Sequence, residues 1–340
     1  MLRKNTPETI FIAPNVIDRI KRNALQYPED ETGEALIGVM MPAGRQKFPE
    51  THILETIPPG QDAIRRWAMF EQGNDWQFYA FTWLNENWEV YRTMRRRTHS
   101  KSISEKWDLP LLHVGDWHKQ PGGMIKPSGG DLQTAKALLR DDDYPLNYLV
   151  APIVTFAEDA RDEPAENTLI FEDTNPALRI DFWGLSLKSR WFLPLKPIIE
   201  RAYGLPQLPD MAWWLRDEAR FNAELDSLTQ DGLDISRIVQ HNADGKPPLE
   251  TCFLLYRPGT YHVVIGVTPH NYPKSPPTWR TAPIKRPAAE DDLFTALYAD
   301  SQVVPEQITH SWSGDRDALL DGLRLVEDYL KENPYELGSR

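Results

Sequence analysis

The stretch HVGDWHKQPGGMIKPSGGD, residues 113–131, decides how this chain is read. Residues 111–117 alternate in the manner of a strand, which delivers His118 at its end. A Gly/Pro-rich loop follows, and the chain restarts as a helix marked by Leu132, Ala135, Leu138 and Leu139. Ser128, with an acidic residue three positions on at Asp131, forms a capping box for that helix, and this alone explains both residues. A His and an Asp on opposite sides of a short stiff loop can also converge on one metal ion. Gln120 stands two residues after His118, inside the same group. His113 lies five positions before His118, so on a regular strand the two face opposite sides.

Outward from this stretch, the N-terminal half reads as alternating strands and helices. Residues 9–13 form a short strand. Asn15 serves as N-cap of a helix carrying Ile17, Ile20 and Ala24. The acidic turn PEDETGE leads into a continuous apolar segment, residues 35–40, typical of a buried strand, with Glu31 and Glu34 at its entry. Residues 52–57 are a further strand. Aromatic and β-branched residues make residues 76–84 and 88–94 lean to strand, or one of them to a helix flanking the sheet. Arg95, Arg96 and Arg97 read as a solvated strand end or loop. Strands follow at residues 148–156, 168–171 and 178–183. The four prolines of residues 193–209 mark a domain boundary.

The group Glu31, His118, Gln120, Ser128 and Asp131 resembles the JAB/MPN metallopeptidases and their JAMM motif. That motif is an upstream Glu, then His-x-His, seven residues, Ser, two residues and Asp; here residues 121–127 keep the gap. The lead-in GDWH and the loop PGG look like bacterial members. PEDETGEALIG is similar to their PxETGGxLxG and aligns Glu31, rather than Glu34, with the catalytic Glu. The resemblance covers roughly residues 8–200. It implies a zinc isopeptidase in which His118 and Asp131 hold Zn²⁺, Glu31 moves the proton of the attacking water, and Ser128 donates to the developing oxyanion. Its substrates are ubiquitin-like tails ending in Gly-Gly. Gln120 departs from the pattern where the second His belongs, and an amide oxygen is a poorer zinc ligand than imidazole. That implies weaker metal binding, an altered metal preference, or none.

Composition narrows the alternatives. The chain has 340 residues, enough for two domains, and 12 Trp, 12 Tyr and 12 Phe to fill their cores. A formal net charge of −12 repels phosphate backbones and argues against nucleic acid. The single Cys252 excludes an internal disulfide, a Cys-rich zinc site and a CxxC redox motif, and fits a reducing compartment. No apolar run approaches the ~20 residues that cross a bilayer, and the N-terminus lacks a signal-peptide pattern. The expectation is a cytoplasmic protein with no membrane partner.

From residue 210 a second unit begins. Trp214, Phe221, Leu225 and Leu228 recur at helical spacing over about four turns. Residues 250–256 and 261–267 form a hairpin around Arg257-Pro258-Gly259. PHNYPKSPPTW is a rigid exposed connection, and Leu319, Leu323, Val326 and Leu330 share one face of a last helix, stopped by Asn333-Pro334. This order, with PHNYPKSPP and the late Trp312, resembles the ubiquitin-conjugating (E2) or RWD fold. An active E2 needs a Cys nucleophile after the proline motif, and Cys252 precedes it on a strand, as a buried apolar residue. The fold class expected is α/β (α+β): a JAB/MPN domain with a mixed β-sheet flanked by helices at 1–200, a Pro-rich linker at 201–209, and an E2-like α+β domain without its catalytic Cys at 210–340. Two functions fit. One is an isopeptidase acting after a ubiquitin-like protein. The other is a catalytically silent pseudo-protease scaffold that binds ubiquitin-like proteins or E1/E2-type conjugation proteins.

Overall fold

The computed structural model describes residues 8–41, 48–73, 75–200, 205–206, 208–243, 245–284 and 292–333. Contacts divide the chain into two compact units, Met1–Leu208 and Pro209–Arg340. The first holds β1 (Glu8–Ile12), α1 (Pro14–Gln26), β2 (Thr32–Met41), β3 (Glu50–Ile57), β4 (Ile64–Arg66), β5 (Met69–Glu71), α2 (Trp76–Thr98), α3 (Lys101–Glu105), β6 (Leu112–Lys119), α4 (Gly129–Leu138), β7 (Tyr148–Val150), β8 (Ile153–Phe156), β9 (Thr168–Phe171), β10 (Leu178–Asp181), β11 (Trp183–Ser186) and β12 (Leu193–Ile199).

Seven strands in the order β2-β3-β1-β12-β11-β7-β6 close into a barrel-like ring, because β6 pairs back onto β2. The ring is mixed: β1 runs parallel to β3 and β12, while β2 is antiparallel to both its neighbours. β8, β10 and β9 extend the sheet beyond β6. β2 pairs with β6 over residues 32–38 and with β3 over residues 35–41, and the end of β6 that carries His118 is flanked by β2 on one side and β8 on the other. α1 packs on β3 and β2 through Val16, Ile17, Ile20 and Ala24. Burial of each of Val16, Ile17 and Ile20 contributes about 1.5–3 kcal/mol, and the single methyl of Ala24 less.

Several expectations are corrected. Residues 76–98 are one 23-residue helix, not strands. Its aromatic residues misled, but Ala80, Trp83, Leu84, Asn87 and Trp88 are buried at three- and four-residue steps. Arg95, Arg96 and Arg97 form its last turn, where cations complement the helix dipole. Arg95 is buried, and Arg96 pairs with Asp108 at 2.5 Å. The cap of α1 is Ala13, with Pro14 at its first position; Asn15 instead donates to the Leu54 carbonyl. Pro152 breaks residues 148–156 into β7 and β8, and residues 178–186 divide at Phe182. Residues 193–199 of the expected boundary region belong to β12, a strand of the first unit: Pro194 pairs with β11 and Pro197 with β1. The chain divides at Leu208; residues 201–204 and 207 of the expected linker lie outside the described residues.

The second unit is an antiparallel five-stranded sheet with helices. It contains α5 (Trp213–Arg216), α6 (Glu218–Gln230), β13 (Asp234–His241), β14 (Glu250–Tyr256), β15 (His262–Thr268), β16 (Thr278–Pro283), α7 (Leu293–Asp300), β17 (Gln302–Val303), α8 (Glu306–Thr309) and α9 (Leu319–Glu332), with strand order β13-β14-β15-β16-β17. The expected four-turn helix is two, because Asp217 leaves helical geometry and caps α6 through Arg220 N. Tyr272 of the proline segment is not exposed: it is buried in the core beside Trp213, its hydroxyl donating to Glu224 at 2.6 Å. Cys252 lies fully buried on β14, where burial pushes its thiol up to about 12.

Candidate functional site

The site is built at the C-terminal end of β6. Gly33 of β2 pairs with His118, and β8 with the residue before it accepts from the other side: His118 N donates to the Pro152 carbonyl (3.2 Å) and Gln120 N to the Val154 carbonyl (2.9 Å). Both backbone positions are therefore fixed, and His118 and Gln120 project to the same face by strand alternation.

α4 supplies the rest. Ser128 caps it, accepting from Asp131 N at 3.2 Å, and Asp131 Oδ2 returns the bond by accepting from Ser128 N at 2.5 Å. The capping box is real, and it also aims Asp131. Gln120 Nε2 donates to Asp131 Oδ2 at 3.1 Å and lies 3.0 Å from His118 Nε2, while Asp131 Oδ1 stands 3.6 Å from His118 Nε2. The loop between strand and helix needs its glycines. A Cβ on Gly123, whose φ is +71°, would meet the Asp159 carbonyl oxygen at 2.1 Å.

Burial holds the His118 imidazole below its ordinary range, and the charges of Asp131 and Asp116 only partly offset this. Glu31 precedes β2, its N–H donating to the Arg66 carbonyl of the β4–β5 hairpin at 2.9 Å. Its carboxyl is raised by burial and then by the negative Asp131, which places it within that residue's field. Glu34 occupies the opposite face. It is buried, accepts from Thr56 (2.8 Å), Trp117 (3.3 Å) and Asn23, and is pushed up to about 7 by that burial. The entry of β2 therefore carries two carboxylates with separate environments, and only Glu31 shares the face of His118. Ser128 is exposed, and its hydroxyl hydrogen has no acceptor among the described residues.

His113 stands on the same face as well, contrary to regular strand parity. A β-bulge at Val114 shifts the register, so that Leu36 pairs with Gly115 but Ile37 with His113. Opposite partners share a face, which puts His113, Asp116 and His118 in one row. His113 Nε2 lies 3.2 Å from Asp116 Oδ1, which also accepts from Gln72 at 2.9 Å. Burial alone would lower His113, but Asp116 outweighs it and holds the imidazole above its usual range. The pair lines a cavity of about 190 Å³ with Ala35, Ile37, Ile57, Phe78 and Phe81. Sequence reasoning missed this pair, although Gly115 inside a strand is a bulge signal.

Among the described residues no group of three His, Cys, Asp or Glu side chains is arranged to hold a metal ion. His118 and Asp131 fit a divalent cation as two of its ligands, and a third must come from Gln120. Gln120 Oε1 is buried without a hydrogen-bond partner, which leaves its lone pairs uncommitted. Of the separations in this group only the 3.6 Å between His118 Nε2 and Asp131 Oδ1 joins two atoms that can ligate, since the Gln120 atom that faces both is its amide nitrogen.

No family profile matches the chain. A CD-NTase/cGAS isopeptidase from Enterobacter hormaechei subsp. hoffmannii (strain UCI 50) is 25% identical over 136 residues, 40% of this chain and 61% of that protein. The chain thus spans about three-fifths of that relative's length. The solution structure of a protein from Desulfitobacterium hafniense covers 57% of this chain and 94% of its own, at a TM-score of 0.34 and 14% identity. The chain is a distant homologue of an isopeptidase. Among the described residues no helix is long and apolar enough to cross a membrane.

Proposed function

We propose that the first unit is a cation-dependent hydrolase of peptide or isopeptide bonds that follow the C-terminus of a ubiquitin-like protein. One observation carries the reading: His118, Gln120 and Asp131, delivered by a strand end and a helix cap, converge within 3.6 Å beside a carboxylate, Glu31, raised above its ordinary range. The distant isopeptidase homologue supports the same chemistry. His118 and Asp131 would hold the cation, zinc in the family that the motif resembles, with Gln120 as a weaker third ligand. When bound, such a cation polarises a scissile carbonyl and acidifies water beside it. Glu31 accepts the proton from water and returns it to the leaving amine, a role its raised carboxyl suits. Ser128 directs its uncommitted hydroxyl hydrogen toward the developing oxyanion. The second unit serves as a binding module in this reading, E2-like in element order but without a nucleophile, since Cys252 is sealed in β14.

A second reading, a silent scaffold for ubiquitin-like proteins or conjugation enzymes, is favoured by the direction of the Gln120 amide. Its nitrogen, rather than its oxygen, faces both groups, donating to Asp131 Oδ2 at 3.1 Å and lying 3.0 Å from His118 Nε2. The test is hydrolysis of a ubiquitin-like protein fused through its C-terminal Gly-Gly to a peptide. The full chain is incubated with added Zn²⁺ or Mn²⁺, and in parallel with a chelator. Turnover that the chelator abolishes is expected. Absence of turnover with every cation sinks the hydrolase reading and leaves the scaffold.

A further inference from the structure

We infer that Lys119 is a positioning residue for Glu31: from the far face of β6 its ammonium holds the acidic turn before β2 by the Pro28 carbonyl, and so fixes where the Glu31 carboxylate stands beside the strand end. The base is the one proposed above, and the role of Lys119 rests on that reading.

Glu31 lies in the turn between α1 and β2, residues 27–31, which carries three consecutive carboxylates, Glu29, Asp30 and Glu31. Two of the contacts that fasten this turn come from the β4–β5 hairpin. The Glu31 N–H donates to the Arg66 carbonyl at 2.9 Å, and the Arg65 guanidinium lies 4.4 Å from the centre of the Tyr27 ring. Every residue in the two strands of that hairpin is at least partly exposed, and a two-stranded hairpin is marginal by itself. The firmer contact comes from the barrel. Lys119 Nζ donates to the Pro28 carbonyl at 2.8 Å, across 91 residues of chain. Lys119 is itself paired to β2 through Thr32 and to β8 through Val154, so its end of β6 is held on both sides.

Lys119 is only 3% exposed. A lysine is seldom buried unless it is paired, because its ammonium loses hydration. The strand ladder does not call for it, since the main chain supplies the pairing. What the ammonium gains is the Pro28 carbonyl, the face of the Phe156 ring at 5.0 Å, and the negative charge of Asp30, Glu29, Glu31 and Asp159. On Glu31 two charges from other elements act with opposite sign, Asp131 of α4 and Lys119 of β6. Without Lys119 the three carboxylates of the turn repel one another and Asp131 with no counter-charge from β6, and the turn moves outward. Strand alternation points Lys119 away from the face of His118 and Gln120. It therefore acts through the turn and does not touch a substrate lying on the His118 face.

Lys119→Met removes the ammonium and keeps the apolar stem. In the full chain, kcat for the ubiquitin-like–peptide fusion is expected to fall by on the order of tenfold or more with KM within about threefold, because a displaced base weakens the transition state rather than binding. In the Glu31→Gln background the same substitution is expected to cost less than about twofold, since no base is left to displace. Hydrogen exchange at the Glu31 amide, which reads the turn without turnover, is expected to quicken by about tenfold or more. If Lys119→Met does not fold, Lys119→Gln, which fills the space with an uncharged polar end, is read in the same assays with the same directions expected. An equal kcat loss with and without the Glu31 carboxylate, or unchanged exchange at Glu31, overturns the inference and leaves the hydrolase reading standing. Absence of turnover in wild type sinks the hydrolase reading and the role of Lys119 with it; faster exchange in Lys119→Met would then mark a structural tether alone.

Discussion

Glu31→Gln is expected to reduce turnover of a ubiquitin-like–peptide fusion by about 100-fold or more while leaving cation affinity within a few-fold of wild type. The glutamine keeps the shape and the Glu31 N–H bond to the Arg66 carbonyl, which belongs to the main chain. What disappears is the basic oxygen. A positioned general base contributes about 10²–10⁴-fold to rate, and the half-buried Glu31, raised by burial and by Asp131, is the carboxyl on the His118 face suited to that role. Glu34 cannot substitute, since it points to the other side of β2, into Thr56, Trp117 and Asn23. Initial rates over a range of substrate concentrations check this. The loss should fall on kcat rather than KM, because the base acts in the transition state. Retention of more than a tenth of wild-type kcat would remove Glu31 from the mechanism.

Gly115→Ala is the substitution expected to cost the fold most. The residue has φ +138°, and a Cβ there would lie 1.9 Å from the Val150 carbonyl oxygen. That contact cannot be relieved by a rotamer change, because the obstacle is the backbone of β7. Gly115 opposite Val150 is also the one register pair joining β6 to β7 among the described residues, so moving the strands apart opens the ring. A destabilisation of about 3 kcal/mol or more is expected, combining strain and lost pairing. Urea unfolding of the full chain measures it. Gly129→Ala is the control: Gly129 is the first residue of α4 and a Cβ on it meets nothing within 4 Å, so a change within about 0.5 kcal/mol is expected. Equal effects at the two positions would show that the bulge carries no strain.

How far the sequence could be read depended on whether local pattern and tertiary context agreed. The helix of α4 was legible because Ser128 and Asp131 close their own capping box within four residues. The strand carrying His118, the buried run of β2 and the last helix were legible for the same reason: their apolar periods are local. α2 was not, since Trp, Tyr and Phe favour strands intrinsically, and only packing against β3 rewards their helical spacing. The prolines of β12 argued for a domain boundary, because no local rule says that this strand would pair with β1 and β11. The broken helix at Asp217 required knowing that its backbone turns out to cap α6.

At the site, the grouping of His118, Gln120 and Asp131 was legible as spacing, and Glu31 entered through the resemblance of its segment. The row of His113, Asp116 and His118 was not, because a period of two fails at a bulge. Nor could spacing reveal the direction of the Gln120 amide.

The most direct measurement is the position of a cation in crystals of the full chain. Crystals are soaked in MnCl₂ and the metal is located by its anomalous scattering. One peak is expected in ligand contact with His118 Nε2 and an Asp131 carboxylate oxygen, with Glu31 alongside. No peak at these residues under saturating Mn²⁺ would contradict the proposed function.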